Sequence, residues 1–338
     1  MAGKIQAVFY RFAPGIILCC VISVVAIILE KLEKLAFGQA WLESLVLAIL
    51  VGALIRTVKG IPSQYAEGVG FSAKILLECA VVLLGASISV HAVIAAGFGL
   101  LVGIIVIVAC VITITYVIGR LFGLAPRLAL LVACGNSICG NSAIAAVAPV
   151  IKAEGSDVAA SIAFTAALGI VVILLLPLAV PLAGLSFTQY GVLAGMTVYA
   201  VPQVLAAAAP VSLISVQTAT LVKLVRVLML GPVIFVIGLI YGLGGNNKLK
   251  FSKMVPWFII GFVILLFANS LDIIPDFLLK IMGFLANILT VISMAALGLG
   301  VDIAALKKSG PRVVLTALIS IIILATASLT MISLLKLP

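Results

Sequence analysis

The chain has 338 residues, 65% of them hydrophobic and only 9% charged, with a formal charge of +10. Soluble domains carry about 45–50% apolar and about 25% charged residues, so this composition excludes a soluble enzyme. The Lys and Arg residues fall between apolar runs, so the positive charge points to membrane orientation, with no role for nucleic acid.

The apolar runs are long and do not alternate, which predicts transmembrane helices of about 20 residues and excludes barrel strands. In chain order, eleven helices are predicted at about 13–30, 41–57, 68–90, 93–120, 126–151, 157–183, 189–210, 215–243, 254–270, 275–306 and 311–335. The first follows Lys4 and Arg11 and has no small-x-small cleavage site, so it reads as an uncleaved helix. An N-terminus inside places Arg56 and Lys59, Arg120 and Arg127, Lys248, Lys250 and Lys253, and Lys307, Lys308 and Arg312 on one side. The opposite loops hold Lys31 and Lys34 offset by Glu30 and Glu33, then Lys152, Asp272 and Asp276. This bias predicts an N-terminus inside and a C-terminus outside. No soluble domain or long linker interrupts the pattern, so residues 1–338 form one membrane domain.

Two internal echoes stand out. Leu84-Gly85-Ala86-Ser87-Ile88 resembles Leu297-Gly298-Leu299-Gly300-Val301, and the odd number of helices between them gives the segments opposite orientations, as in inverted-repeat transporters. Ala133-Cys134-Gly135 through Pro149 resembles Leu193-Ala194-Gly195 through Pro210, but those two helices are expected to run parallel. The second echo therefore reads only as a pair of similar helix breaks.

The densest polar segment is Gly135-Asn136-Ser137-Ile138-Cys139-Gly140-Asn141-Ser142, inside the fifth predicted helix. Glycine and asparagine are poor interior helix formers, and an opened backbone within a bilayer has to line a cavity or face protein. Such a break exposes the N–H groups of a second half-helix, from Ser142 to Pro149, which attract anions. The alternative is a small-residue packing seam. Lys223 and Arg226 share a helix face at i, i+3, with Arg226 about 15 Å along its helix. Charges at that depth mark substrate or ion paths, unless they snorkel or pair with a carboxylate such as Glu78. In the seventh predicted helix, Pro202 removes a donor beside Thr197, Tyr199 and Gln203. Asp302 and Glu78 are candidate ion-coupling residues.

Enzyme chemistry finds no support. Gly135-x-Ser137-x-x-Gly140 is not a nucleophile elbow, and the only histidine, His91, falls in a predicted loop. There is no phosphate-binding loop and no metal-ligand spacing, so neither a cofactor nor a metal is expected. The six cysteines all lie in apolar runs and read as packing residues, Cys139 being the one in a polar context.

Gly135-Asn-Ser-Ile-Cys-Gly-Asn-Ser-Ala143 with Pro149-Val-Ile-Lys152, Lys223-Leu-Val-Arg226-Val, Val255-Pro-Trp257, and Met294-Ala-Ala-Leu-Gly298 with Ala305-Leu-Lys-Lys-Ser-Gly310 together resemble the YeiH-type sulfate exporter family. The match runs from about the second to the eleventh predicted helix. That family looks like a branch of the sodium/proton antiporter and bile-acid symporter superfamily. The resemblance implies an all-α polytopic fold with two inverted five-helix repeats, at about 41–183 and 189–335, the first helix being extra. It also implies a mobile core domain against a panel domain, interrupted crossing helices, a homodimer and a bacterial inner-membrane location. The crossing helices would be the fifth and the tenth, the latter broken around Leu297–Val301. Relatives often carry His and an acid where this chain has Tyr199-Ala200, and Arg where it has Glu78, which implies different coupling or another anion.

The expected function is secondary active transport of a small anion, such as sulfate or an organosulfonate, coupled to Na+ or H+. Gly135, Asn136, Ser137, Cys139, Gly140, Asn141 and Ser142 would cradle the anion. Lys223 and Arg226 would compensate its charge, with Tyr199 and Gln203 as secondary contacts. The competing expectations are a cation exchanger using Asp302 or Glu78, a passive anion channel, and a membrane sensor.

Overall fold

The computed structural model describes residues 2–37, 43–87, 97–241, 257–301 and 310–337, so the candidate residues Asp302 and His91 lie outside the described residues. All regular elements among the described residues are helical. In chain order they are α1 Ala2–Phe37, α2 Ser44–Lys59, α3 Ser63–Phe71 and, after a π-helical turn at Ser72–Leu76, α4 Leu77–Leu84. Next come α5 Gly97–Leu121, α6 Pro126–Ser137, α7 Asn141–Val147, α8 Gly155–Leu175, α9 Ala179–Ala183, α10 Phe187–Thr197 and α11 Val201–Ala208. The last are α12 Leu213–Leu228, α13 Leu230–Ile240, α14 Trp257–Ser270, α15 Asp276–Gly300 and α16 Pro311–Leu334.

Among the described residues, six helical stretches are long and apolar enough to cross a membrane: Arg11–Ala36, Gly97–Leu121, Gly155–Ala183, Leu213–Ile240, Asp276–Gly300 and Pro311–Leu334. The chain is therefore a multi-pass helical membrane protein. Other predicted spans are shorter, as in α2 and α14, or divided in two, as in α6 with α7 and α10 with α11.

The chain forms two compact units, Met1–Val90 with Gly261–Asp302 and His91–Ile260 with Ile303–Pro338. In the first, helices approach through glycines. Gly52 of α2 faces α15 so closely that an added Cβ would sit 2.6 Å from the Ala295 carbonyl oxygen. Gly298 answers from α15, where a Cβ would overlap the Ile49 carbonyl, and Gly15 and Gly68 bring α1 and α3 together in the same way. Such contacts let backbones pack by dispersion where lipid supplies no hydrophobic drive. The interruption expected around Leu297–Val301 falls at the end of α15, which runs to Gly300 and leaves Val301 extended at ψ 118°, while Gly298 serves close packing.

Polar contacts in this unit sit near helix ends. Arg11 pairs with Glu67. Glu30 accepts from Lys34 at 2.6 Å and from the Ser44 amide, at the start of α2, at 3.0 Å. Beside it, burial and the Glu30 charge push the Glu43 carboxyl above its ordinary range.

In the second unit, α5 packs on α6 and α16, and α10 packs on α12. A capping box starts α10, where Ser186 Oγ accepts from the Gln189 amide at 3.2 Å and Gln189 Oε1 from the Ser186 amide at 3.1 Å. Ser212 Oγ caps α12 by accepting from the Ser215 amide at 3.0 Å. Tyr190 then ties α10 to α11 by donating to the Ala207 carbonyl at 2.7 Å. These local signals fix the starts of α10 and α12 and join the two halves of one broken helix.

Candidate functional site

The Gly-Asn-Ser segment breaks its helix as its composition requires. Ile138 leaves helical geometry at φ −111° and ψ −84°, and Gly140 adopts φ +64° before α7 begins at Asn141. Only glycine is comfortable at that φ, and a Cβ at Gly140 would also press to 3.3 Å from the Tyr199 Cβ. The Gly140 amide closes the turn by donating to the Gly135 carbonyl at 2.8 Å. The carbonyls of Asn136, Ser137 and Ile138 are thereby left outside the helical ladder.

The second break lies at residues 198–200, with Val198 and Ala200 extended at ψ 144° and 150°. Pro202 has no N–H to give to the Val198 carbonyl, so the break follows from its position. Gln203 closes the start of α11 by accepting from the Ala200 amide at 3.1 Å. Its amide lies on Gly169 of α8, where any Cβ would overlap it. Thr197 is satisfied within α10, donating to the Leu193 carbonyl at 2.7 Å.

Lys223 and Arg226, both 0% exposed, join the two breaks from α12. Lys223 Nζ donates to the carbonyls of Ile138 at 2.7 Å and Val198 at 2.8 Å. Arg226 donates from Nε to Ser137 at 3.1 Å, from Nη1 to Gly195 at 2.7 Å and Val198 at 3.3 Å, and from Nη2 to Asn136 at 3.2 Å. The carbonyls at the ends of α6 and α10 carry partial negative charge and favour cations. They are dipoles, however, and supply no full counter-charge. Among the described residues of this unit neither cation has a carboxylate in ion-pair reach, and both are held by backbone carbonyls. Glu78 is half-buried in the first unit. Unbalanced charge at this burial is costly unless an anion accompanies it.

Hydroxyls and amides surround the clamp. Asn136 Nδ2 donates to Ser320 Oγ of α16, which lies 2.5 Å from Thr115 Oγ1 of α5. Thr165 of α8 reaches Asn141 Oδ1 at 2.5 Å, and Tyr199 packs edge-on to Phe164 with ring centroids 6.4 Å apart. Four buried polar atoms here have no hydrogen-bond partner among the described residues: Asn136 Oδ1, Ser137 Oγ, Ser161 Oγ and Tyr199 OH. Cys139 is buried at the break beside the two cations, whereas Asn141 and Ser142 at the start of α7 are exposed.

The structure thus brings Asn136, Ser137, Cys139, Gly140, Tyr199, Lys223 and Arg226 into one neighbourhood, with Gln203 capping its edge. It adds Thr115, Ser161, Thr165 and Ser320, which the sequence reading did not single out. The spacing of Ser161 and Thr165, one helical turn apart in an apolar helix, was the available signal. Thr316 and Ser320 repeat that spacing on α16, whereas Thr115 has only Thr113 two residues before it, off its helix face, and gave none.

Residues 14–317 match the family model described as conserved hypothetical protein 698. The chain is 60% identical over 334 residues to a UPF0324 membrane protein of Brucella melitensis, covering 98% of this chain and 92% of the relative. It is 58% identical over 323 residues to one of Bartonella henselae, covering 96% and 93%. A UPF0324 membrane protein of Bacillus cereus is 34% identical over 320 residues, covering 94% and 90%.

Proposed function

The chain belongs to the conserved hypothetical protein 698 family, the YeiH-like family whose motifs it carries, and on that premise we propose that it is a secondary active transporter of a small anion. One observation carries this reading: two fully buried cations, without a carboxylate partner among the described residues, hold two helix breaks together. A bound anion completes the charge balance that the protein leaves open. A cation site would instead need an acidic ligand at the breaks.

Sulfate or an organosulfonate is the first substrate class in this reading, because the motif resemblance points there, and export is the proposed direction. The mechanism is alternating access around the breaks, driven by Na+ or H+ with no resident cofactor. Inverted five-helix repeats, core and panel domains, a homodimer, and an N-in, C-out arrangement of eleven spans in a bacterial inner membrane belong to the same proposal. No enzymatic activity is assigned.

Counterflow in proteoliposomes tests it. Vesicles loaded with unlabelled sulfate should transiently accumulate labelled sulfate above its equilibrium level, and the overshoot should vanish in Lys223→Gln. Simple equilibration without overshoot identifies a channel, and saturable binding without flux identifies a sensor. Sodium/proton exchange indifferent to every anion would replace this reading with a cation exchanger.

A further inference from the structure

The clamp has a consequence for how the anion is held. A guanidinium recognises a flat carboxylate through a fork of parallel N–H groups. In Arg226 that fork is engaged: Nη1 with Gly195 and Val198, Nη2 with Asn136, and Nε with Ser137. Lys223 likewise directs two of its three donors at carbonyls. Swinging either cation onto a ligand would strip the break carbonyls of their partners, at a cost in each.

The unsatisfied groups nearby are of another kind. Ser137 Oγ and Tyr199 OH are buried to within 1% and have no partner among the described residues. Ser161 Oγ, at 0% exposure, shares that condition. Its helix face is the one from which Thr165 reaches Asn141, and Thr165 lies against the break, its Cγ2 3.6 Å from where a Cβ on Gly135 would sit. Buried hydroxyls are ordinarily hydrogen-bonded, so these three orphaned hydroxyls, beside the unpartnered Asn136 Oδ1, indicate a ligand acceptor that the described residues do not supply.

We infer that the anion is gripped by the hydroxyls of Ser137, Ser161 and Tyr199, while Lys223 and Arg226 act as positioning residues that hold the breaks and set the positive field. The inference rests on the anion-transport reading and deepens it. Separate O–H donors suit a compact tetrahedral oxyanion with oxygens in several directions, and they discriminate against a carboxylate that needs a free fork. The hydroxyls are therefore specificity-determining, and the cations are not.

Thermal unfolding of the purified protein in sodium sulfate, sodium methanesulfonate and sodium acetate, at matched sodium, separates these roles. A linear rise common to all proteins reflects exclusion of salt from the surface and is subtracted. The wild type should show a saturable shift with sulfate or methanesulfonate and none with acetate. Ser137→Ala and Tyr199→Phe remove orphaned hydroxyls, so their ligand-free Tm should hold or rise, by about 2–4 °C. Their half-saturating sulfate concentration should increase about tenfold or more. Arg226→Lys should lower the ligand-free Tm and weaken sulfate and methanesulfonate by the same factor, leaving their order unchanged. Ser137→Ala and Tyr199→Phe that bind sulfate as the wild type does, while the wild type responds, overturn the hydroxyl grip and leave the transport reading standing. Loss of ligand-free stability in both variants also overturns it, since the hydroxyls would then be structural. A wild type with no saturable response to any of the probes overturns both.

Discussion

Both units of this chain pack helices through glycines, as at Gly52 against Ala295 in the first and Gly195 against Ala219 in the second, but only the second adds a charged clamp. In Met1–Val90 with Gly261–Asp302, helices meet through Gly15, Gly52, Gly68 and Gly298, where backbones touch and α15 stays continuous. In the other unit, α6/α7 and α10/α11 are broken, and two buried cations on α12 hold the broken ends. Glycine contacts stabilise by dispersion alone and need nothing from outside the chain. A charged clamp would be a poor choice for stability, because desolvating two cations costs several kcal/mol each before any gain. The costly arrangement is therefore where the proposed function is placed, and the cheaper one is read as scaffold.

Arg226→Ala should be the most damaging change, since Asn136, Ser137 and Gly195 lose the donor that reaches each carbonyl across the breaks. At about 1–3 kcal/mol for each buried group left unpaired, folded yield and thermal stability in detergent should collapse. A well-folded Arg226→Ala protein would show that the clamp is not what joins the breaks. Gly298→Leu comes next. Its side chain would force α2 and α15 apart, with a loss of about 1–3 kcal/mol or more in thermal unfolding. Half-saturating anion concentration should stay at the wild-type value, and a shift in it would erase the distinction between scaffold and site. Pro202→Ala is the mildest. It restores an N–H that can compete for the Val198 carbonyl, so stability should move by no more than about 1 kcal/mol. Counterflow should slow as α10 and α11 begin to close into one helix. Unchanged flux would place the second break outside the transport path.

Much of this was legible in the sequence, for reasons that differ by residue. Gly135–Ser142 announced its own break because glycine, asparagine and serine oppose helix formation locally. Pro202 did so through a missing donor. Lys223 and Arg226 stood out because charge is rare in apolar helices. Their partners were not legible, because a carbonyl is the same at every position and only the fold decides which ones are left free. Glycine in a membrane helix signals close packing as readily as rupture, and near Leu297 it does the first at Gly298, against α2, just before α15 ends at Gly300. The echo between Ala133-Cys134-Gly135 and Leu193-Ala194-Gly195, which had no assignment as a repeat, turns out to mark the two helices whose broken ends share Lys223 and Arg226. The composition that opened the reading, scarce charge in an apolar chain, here acquires a location.

The central claim is that the clamp carries positive charge that only an external anion balances. Ser137→Asp tests it directly by building a counter-ion into the break, next to the carbonyl that receives Arg226 Nε at 3.1 Å. If the claim holds, the variant folds at least as stably as the wild type, and saturable sulfate binding and counterflow are both lost, because the site has become internally neutralised. A variant that still binds and exchanges sulfate like the wild type, or that is destabilised by the added carboxylate, would show that the two cations are already balanced without a ligand.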